Sequence, residues 1–116
     1  MNNLNSVLVE GNLERDPELR TASNGKAFCA FSIVCTRWYK NDSGIIEEEF
    51  SYFDIEIWGK LAEACSNVGK EDQGCRVVGR LKQDQYWDNA VGKMCSRIVI
   101  VAEHVEFRPE FKKGAN

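Results

Sequence analysis

The 116-residue chain is poor in the side chains that usually carry chemistry. It has one histidine, His104, and its five cysteines, Cys29, Cys35, Cys65, Cys75 and Cys95, include no C-x-x-C pair. A zinc site needs clustered Cys or His ligands, and this spacing supplies none. The cysteines are odd in number, widely spaced and mostly set among apolar neighbours. That is the pattern of small buried hydrophobes in a reducing compartment, not of a disulfide framework. A phosphate-cradling G-x-x-x-x-G-K-[ST] loop is also missing, as is a nucleophile–base pair. Asp54 and Glu56 fall on one side of a predicted strand, but that surface is open, not a cleft suited to general acid–base work. A binding module without catalytic residues, metal or cofactor is therefore expected, not an enzyme. No apolar run is long enough to span a membrane. The N-terminus shows no basic start followed by an apolar block, so a cytoplasmic location is expected.

What is present is ordinary for a soluble globule: 43% hydrophobic and 28% charged residues. At this length one domain is expected, covering 1–107, with 108–116 as a short flexible tail. The formal net charge is −3. Proteins that grip phosphates usually carry a basic surface. A local stripe still binds while acidic loops set the total, so the placement of the fifteen Lys and Arg residues decides the matter.

Alternation is the strongest signal. From Tyr52 to Lys60 the chain reads Tyr-Phe-Asp-Ile-Glu-Ile-Trp-Gly-Lys. A strand sends successive side chains to opposite faces, which puts Phe53, Ile55 and Ile57 on a core face and Tyr52, Asp54, Glu56 and Trp58 on the other. The two outer aromatics are six residues apart, roughly 20 Å at about 3.3 Å per residue. They suit stacking against something flat, nucleic-acid bases foremost, or else cover a neighbouring subunit or loop.

The same reading finds a strand from Val7 to Leu13, a turn at Ser23-Asn24-Gly25 that folds Leu19–Thr21 against Lys26 onward, and a long β-type run from Ala27 to Tyr39. Asn41–Gly44 is a loop, and Glu47-Glu48-Glu49 is a solvated loop or strand end before a strand from Phe50 to Trp58. Lys60–Val68 has helical spacing, with Leu61, Ala64, Cys65 and Val68 on one side and Gly69 after its end. Gly74–Lys82 sends Arg76, Val78, Arg80 and Lys82 to one face. Trp87–Lys93 is a hairpin loop, and Cys95–Val105 a last strand. Three strands, one short helix and two strands describe an all-β, five-stranded Greek-key barrel of the oligonucleotide-binding (OB) type.

The residues also resemble a known family. Asn5-x-Val7-x-Val9-x-Gly11-Asn12-Leu13, Asp16-Pro17-Glu18-x-Arg20, Asn24-Gly25, Trp58-Gly59-Lys60-Leu61-Ala62-Glu63, and Gly79-Arg80-Leu81 followed by Tyr86-Trp87 occur in the order found in bacterial single-stranded-DNA-binding proteins. The resemblance runs from about residue 5 to residue 105. It implies a homotetramer of OB folds that coats single-stranded DNA in replication, recombination and repair. It also implies stacking positions at Trp38 or Tyr39, Tyr52, Trp58, and Tyr86 or Trp87. Beside them stand basic residues: Arg37 and Lys40 around the first pair, Lys60 after Trp58, and Arg76, Arg80 and Lys82 leading toward Tyr86. Interleaved aromatic and basic residues are the footprint of a single-strand binder. Subunit packing is the competing role for the aromatics, Trp38 and Trp87 above all. Acids at Asp54, Glu56 and Glu47–Glu49 depart from a phosphate-binding surface. Family members also run on into a flexible linker and an acidic tip that recruits replication and repair proteins, whereas this sequence reads Gly114-Ala115-Asn116 and carries no such tip. Two other functions fit the residues: a dimeric primosome-type OB module, and an OB-fold interaction protein without DNA affinity.

Overall fold

The computed structural model describes residues 2–108. The elements run β1 (Val7–Leu13), β2 (Glu18–Thr21), β3 (Ala27–Lys40), β4 (Ile46–Trp58), α1 (Lys60–Val68), β5 (Gly74–Asp88) and β6 (Lys93–Phe107). The strands form one sheet in the order β1-β5-β6-β4-β3-β2, and a further β1–β3 pairing closes it. Five strands thus make the expected barrel, while short β2 folds back along β3 as the Ser23-Asn24-Gly25 turn predicts. All pairings are antiparallel except β4–β6, which meet through Ile55 with Ile100 and Glu56 with Val101. The expected tail from 109 onward lies outside the described residues.

Closure depends on β1 changing partners. It pairs with β5 from Val7 to Asn12, then with β3 through Asn12 and Leu13. Gly11 sits at that change, and a Cβ there would come 2.5 Å from the Val34 carbonyl oxygen. Gly79 is tighter still: its Cβ would lie 2.2 Å from the Val101 carbonyl oxygen. There the β5–β6 register jumps from Val78 opposite His104 to Gly79 opposite Ala102, leaving Glu103 as a bulge. The bulge explains why β6 presents Val105 and Phe107 to the core beyond it but Ile100 and Ala102 before it.

The core is the set of inward alternates. β3 contributes Cys29, Phe31 and Ile33, β4 Ile55 and Ile57, and β5 Cys75 and Val77. Phe53, expected beside Ile55 and Ile57, is 37% exposed. It lies past the last β4–β6 pair, where no strand remains on that side to cover it. The helix also differs from its expected face. Ala62 and Cys65 are buried and Leu61 partly so, whereas Ala64 and Val68 face solvent. A helix turns about 100° per residue, so Ala62, Cys65 and buried Gly69 share the line laid against the barrel. Gly59 starts the helix at φ 70°, a backbone conformation that disfavours side chains, and its N–H donates to the Ala27 carbonyl.

The strands are longer than their periodicity predicts. Glu47, Glu48 and Glu49, expected as a loop or strand end, belong to β4, and β5 runs on past Lys82 through Tyr86 to Trp87 and Asp88, where the hairpin loop is expected to open. Beyond the barrel, β3–β4 and β5–β6 continue as two-stranded arms with loops at 41–45 and 89–92.

Candidate nucleic-acid interface

Register decides which predicted residues share a surface. On β3 the outward alternates are Phe28, Ala30, Ser32, Val34, Thr36, Trp38 and Lys40. Their β4 partners are Trp58, Glu56, Asp54, Tyr52, Phe50, Glu48 and Ile46. On the β5–β6 side Arg80 faces Val101, Lys82 faces Val99, Asp84 faces Arg97 and Tyr86 faces Cys95. The β4–β6 pairing of Glu56 with Val101 joins the two sets on the outside of the barrel. Trp38, Tyr52, Trp58 and Tyr86 therefore lie on one outer pleat that runs over β3, β4, β6 and β5. All four are exposed, Trp38 at 64% and Tyr52 at 63%.

The ambiguous neighbours fall on the opposite pleat. Tyr39 pairs with Glu47, and its hydroxyl donates to Glu47 Oε2 at 2.7 Å. That bond pushes the Tyr39 phenol up and, from the other side, holds the Glu47 carboxyl down, with help from Asn41. The Arg37 guanidinium lies 4.9 Å from the centre of the Tyr39 ring and 3.5 Å from Glu49. Arg37 and Tyr39 thus hold the inner pleat of the β3–β4 arm, and two of the three expected loop acids are their partners. Trp87 faces Met94 on the inner pleat of the other arm, away from Tyr86.

Trp58 is held from two sides. Its ring stacks on Phe28 at 5.1 Å between centroids and 28° between planes. Its indole N–H donates to Glu56 Oε1 at 2.6 Å. Sequence reasoning missed Phe28, although it alternates with Cys29 and Phe31; only the register with Trp58 gives it a role. It missed Arg97 and Asp84 as well, because both lie near or beyond the expected strand ends.

The basic residues divide. Arg80, Lys82, Lys40 and Lys60 are on or beside the aromatic pleat, Lys60 two residues past Trp58. The Lys82 ammonium lies 3.1 Å from Asp84 and 3.5 Å from Glu56, and Asp84 chiefly raises its pKa. Arg76, though on the same pleat of β5, is engaged at the other end of the barrel. It bonds Glu10 at 3.0 Å and lies 3.9 Å from Glu106, and Arg108 also reaches Glu10. These guanidinium groups hold the Glu10 carboxyl below the usual carboxylate range. Arg76 thus ties β1, β5 and β6 together.

An open groove of about 240 Å³ lies on this pleat, its lining including Arg20, Ser32, Asp54, Glu56, Arg97 and Val99. The Ser32 hydroxyl donates to Asp54 at 2.9 Å. Among the described residues no group of three His, Cys, Asp or Glu is placed to hold a metal ion. Nor, among them, is any helix long and apolar enough to cross a membrane. The surface offers flat rings and scattered cations along an extended path, an arrangement suited to stacking bases and meeting phosphates.

The single-strand binding protein family model matches residues 4–108. Single-stranded DNA-binding protein 2 of Chlorobaculum tepidum is 32% identical over 115 residues, covering 98% of this chain and 77% of that one. The single-stranded DNA-binding protein of Aquifex aeolicus is 35% identical over 114 residues, covering 97% and 74%. Against single-stranded DNA-binding protein 1 of Chlorobaculum tepidum the identity is 34% over 89 residues, and the match spans 55% of that protein's length. In fold, the chain is similar to a Plasmodium falciparum SSB solved in complex with ssDNA, with a TM-score of 0.83 over 94% of this chain and 98% of that one at 12% identity. It is also similar to a deletion mutant of the single-stranded DNA binding protein from Thermus aquaticus, with a TM-score of 0.80 over 91% and 51% at 24% identity. The chain belongs to the single-strand binding protein family.

Proposed function

We propose that this chain binds single-stranded DNA without choosing sequence, protecting it during replication, recombination and repair, and acts by binding alone. The observation that carries this reading is the outer pleat on which Trp38, Tyr52, Trp58 and Tyr86 stand together, drawn from three strands. Every base has a π-face, so stacking is sequence-tolerant. Arg80, Lys82, Lys40 and Lys60 are the phosphate contacts. Arg76, Arg37, Tyr39 and Trp87 support the barrel and its arms. The working domain is residues 1–107, and the setting is the cytoplasm, where single-stranded DNA and reduced thiols coexist.

The assembly proposed is a homotetramer. A mostly apolar crevice lined by Val7, Val9, Phe53, Leu81, Ile98 and Ile100, with Tyr52 and Asp54 at its border, opens where the two arms leave the barrel. Leu81 and Ile98 in its lining are exposed. Contiguous apolar surface of this kind marks contact with another chain. Mass in solution distinguishes a tetramer from the dimer of a primosome-type module.

Tryptophan fluorescence during titration with poly-thymidine tests the binding itself. Strong quenching that weakens as salt rises is expected, since Trp38 and Trp58 lie on the pleat and phosphate contacts release counterions. No quenching together with no mobility shift at low salt would overturn the reading in favour of an interaction barrel.

A further inference from the structure

The acids on the binding pleat have their own consequence. Glu56 Oε1 takes both the Trp58 indole N–H at 2.6 Å and the Lys82 ammonium at 3.5 Å. Asp84 takes Lys82 at 3.1 Å and lies 4.0 Å from Arg97. Trp58, Glu56, Lys82, Asp84 and Arg97 thus form one chain of contacts across β4, β5 and β6. Its carboxylates are the sheltered members: the Glu56 side chain is 12% exposed and that of Asp84 22%, against 41% for Lys82 and 54% for Arg97. The cations lie over the acids and face outward.

Resting on the single-strand-binding reading, we infer that Glu56 and Asp84 are affinity-setting residues that occupy, in the free protein, the places DNA phosphates take on Lys82 and Arg97. Binding at the centre of the pleat is then an exchange of one anion for another. A phosphate approaching Lys82 gains that cation but loses part of the gain to the two carboxylates beneath it. Such a cation meets a phosphate less fully and displaces fewer of the cations condensed on the DNA, so its contribution to binding is smaller than that of a free lysine. Glu56 also positions Trp58, because the same oxygen that neutralises Lys82 fixes the indole over Phe28.

Glu56→Gln and Asp84→Asn separate the two roles. Each replacement keeps a carbonyl oxygen as acceptor and removes the charge. Affinity for an oligothymidine strand is expected to rise about three- to tenfold per replacement at low salt, the size of one charge acting across roughly 7 Å in a solvent-rich surface. The slope of log affinity against log salt should steepen by about 0.7 for each cation freed to meet a phosphate. Lys82→Gln in the double variant should remove most of the gain, which a general change in net charge would not do. Thermal unfolding of each variant shows that it is folded, and Asp84→Asn alone still tests the exchange if Glu56→Gln is not. Unchanged or weaker affinity in folded variants, with an unchanged slope, would overturn the inference while leaving single-strand binding intact. No binding by the unmodified protein would instead overturn the functional reading on which it rests.

Discussion

At the scale of single residues, the contrast between Trp58 and Trp87 is the most instructive. Both are exposed indoles in strands. Trp58 stacks on Phe28, donates to Glu56 and shares the outer pleat with Tyr52; Trp87 faces Met94 on the other side of its arm. A base stacked on an aromatic is worth about 1–3 kcal/mol. Trp58→Ala is therefore expected to weaken oligothymidine binding by about that much, and Trp87→Ala to leave it largely intact, as electrophoretic titration checks. Glycine is as specific in its place. Gly79→Ala would drive a methyl group into the Val101 carbonyl, where backbone and not a flexible side chain must move. Urea unfolding should show a loss of about 3 kcal/mol, in the range of forced overpacking. The core thiols follow burial: Cys65 and Cys75 are pushed up to about 11, chiefly by desolvation, and stay protonated near neutral pH.

At the scale of elements, the arms set what periodicity can and cannot reveal. Within the barrel one face of each strand is buried, and alternation is clear: Ile55 and Ile57 read directly as core, and Cys29, Phe31 and Ile33 alternate in the same way. In the arms both faces meet solvent, so polar and apolar residues need not alternate and strand ends lose their signal. That is why Glu47–Glu49 read as a loop or strand end and Trp87 as the start of a hairpin loop, although both lie within strands. It is also why the choices between Trp38 and Tyr39 and between Tyr86 and Trp87 needed the register. The β3–β4 arm has its own local lock. Asn41 Oδ1 accepts from the Ser43 and Ile45 N–H groups at 2.9 and 3.0 Å, and its Nδ2 donates to Glu47 at 3.0 Å. Asn41→Ala should cost about 1 kcal/mol of local stability. Faster hydrogen exchange in residues 38–48, with barrel amides unchanged, is the expected result.

At the scale of the whole molecule, charge pairing joins elements distant in sequence. Glu10 on β1 meets Arg76 on β5, and Arg108 past the end of β6 reaches the same carboxylate. Arg76 is the larger cause of the lowered Glu10 pKa. A carboxyl lowered in the folded state stabilises above its unfolded value, and that stability is lost as pH falls through the folded one. The melting temperature should therefore decline as pH drops below the ordinary carboxylate range. Glu10→Gln should melt lower than the unmodified protein at neutral pH, with the difference narrowing in acid; a constant gap across pH would show that the pair does not act through charge. The apolar crevice between the arms belongs to this scale as well. Leu81→Glu or Ile98→Glu is expected to reduce the mass in solution, read by analytical ultracentrifugation, without unfolding the barrel.

The amino-acid order alone determined the strand-and-helix sequence, the inward pair Ile55 and Ile57, the turn at Ser23-Asn24-Gly25 and the outward pair Tyr52 and Trp58. Each of these is local: pleating, turn geometry and helical spacing act over a few residues. Tertiary structure alone decided which aromatics share a pleat, that Phe28 lies against Trp58, that Arg76 pairs with Glu10 on β1, and that Lys82 is already held by Glu56 and Asp84. Those outcomes depend on register between strands tens of residues apart and on the single-residue bulge at Glu103. Neither leaves a mark within one strand's own sequence.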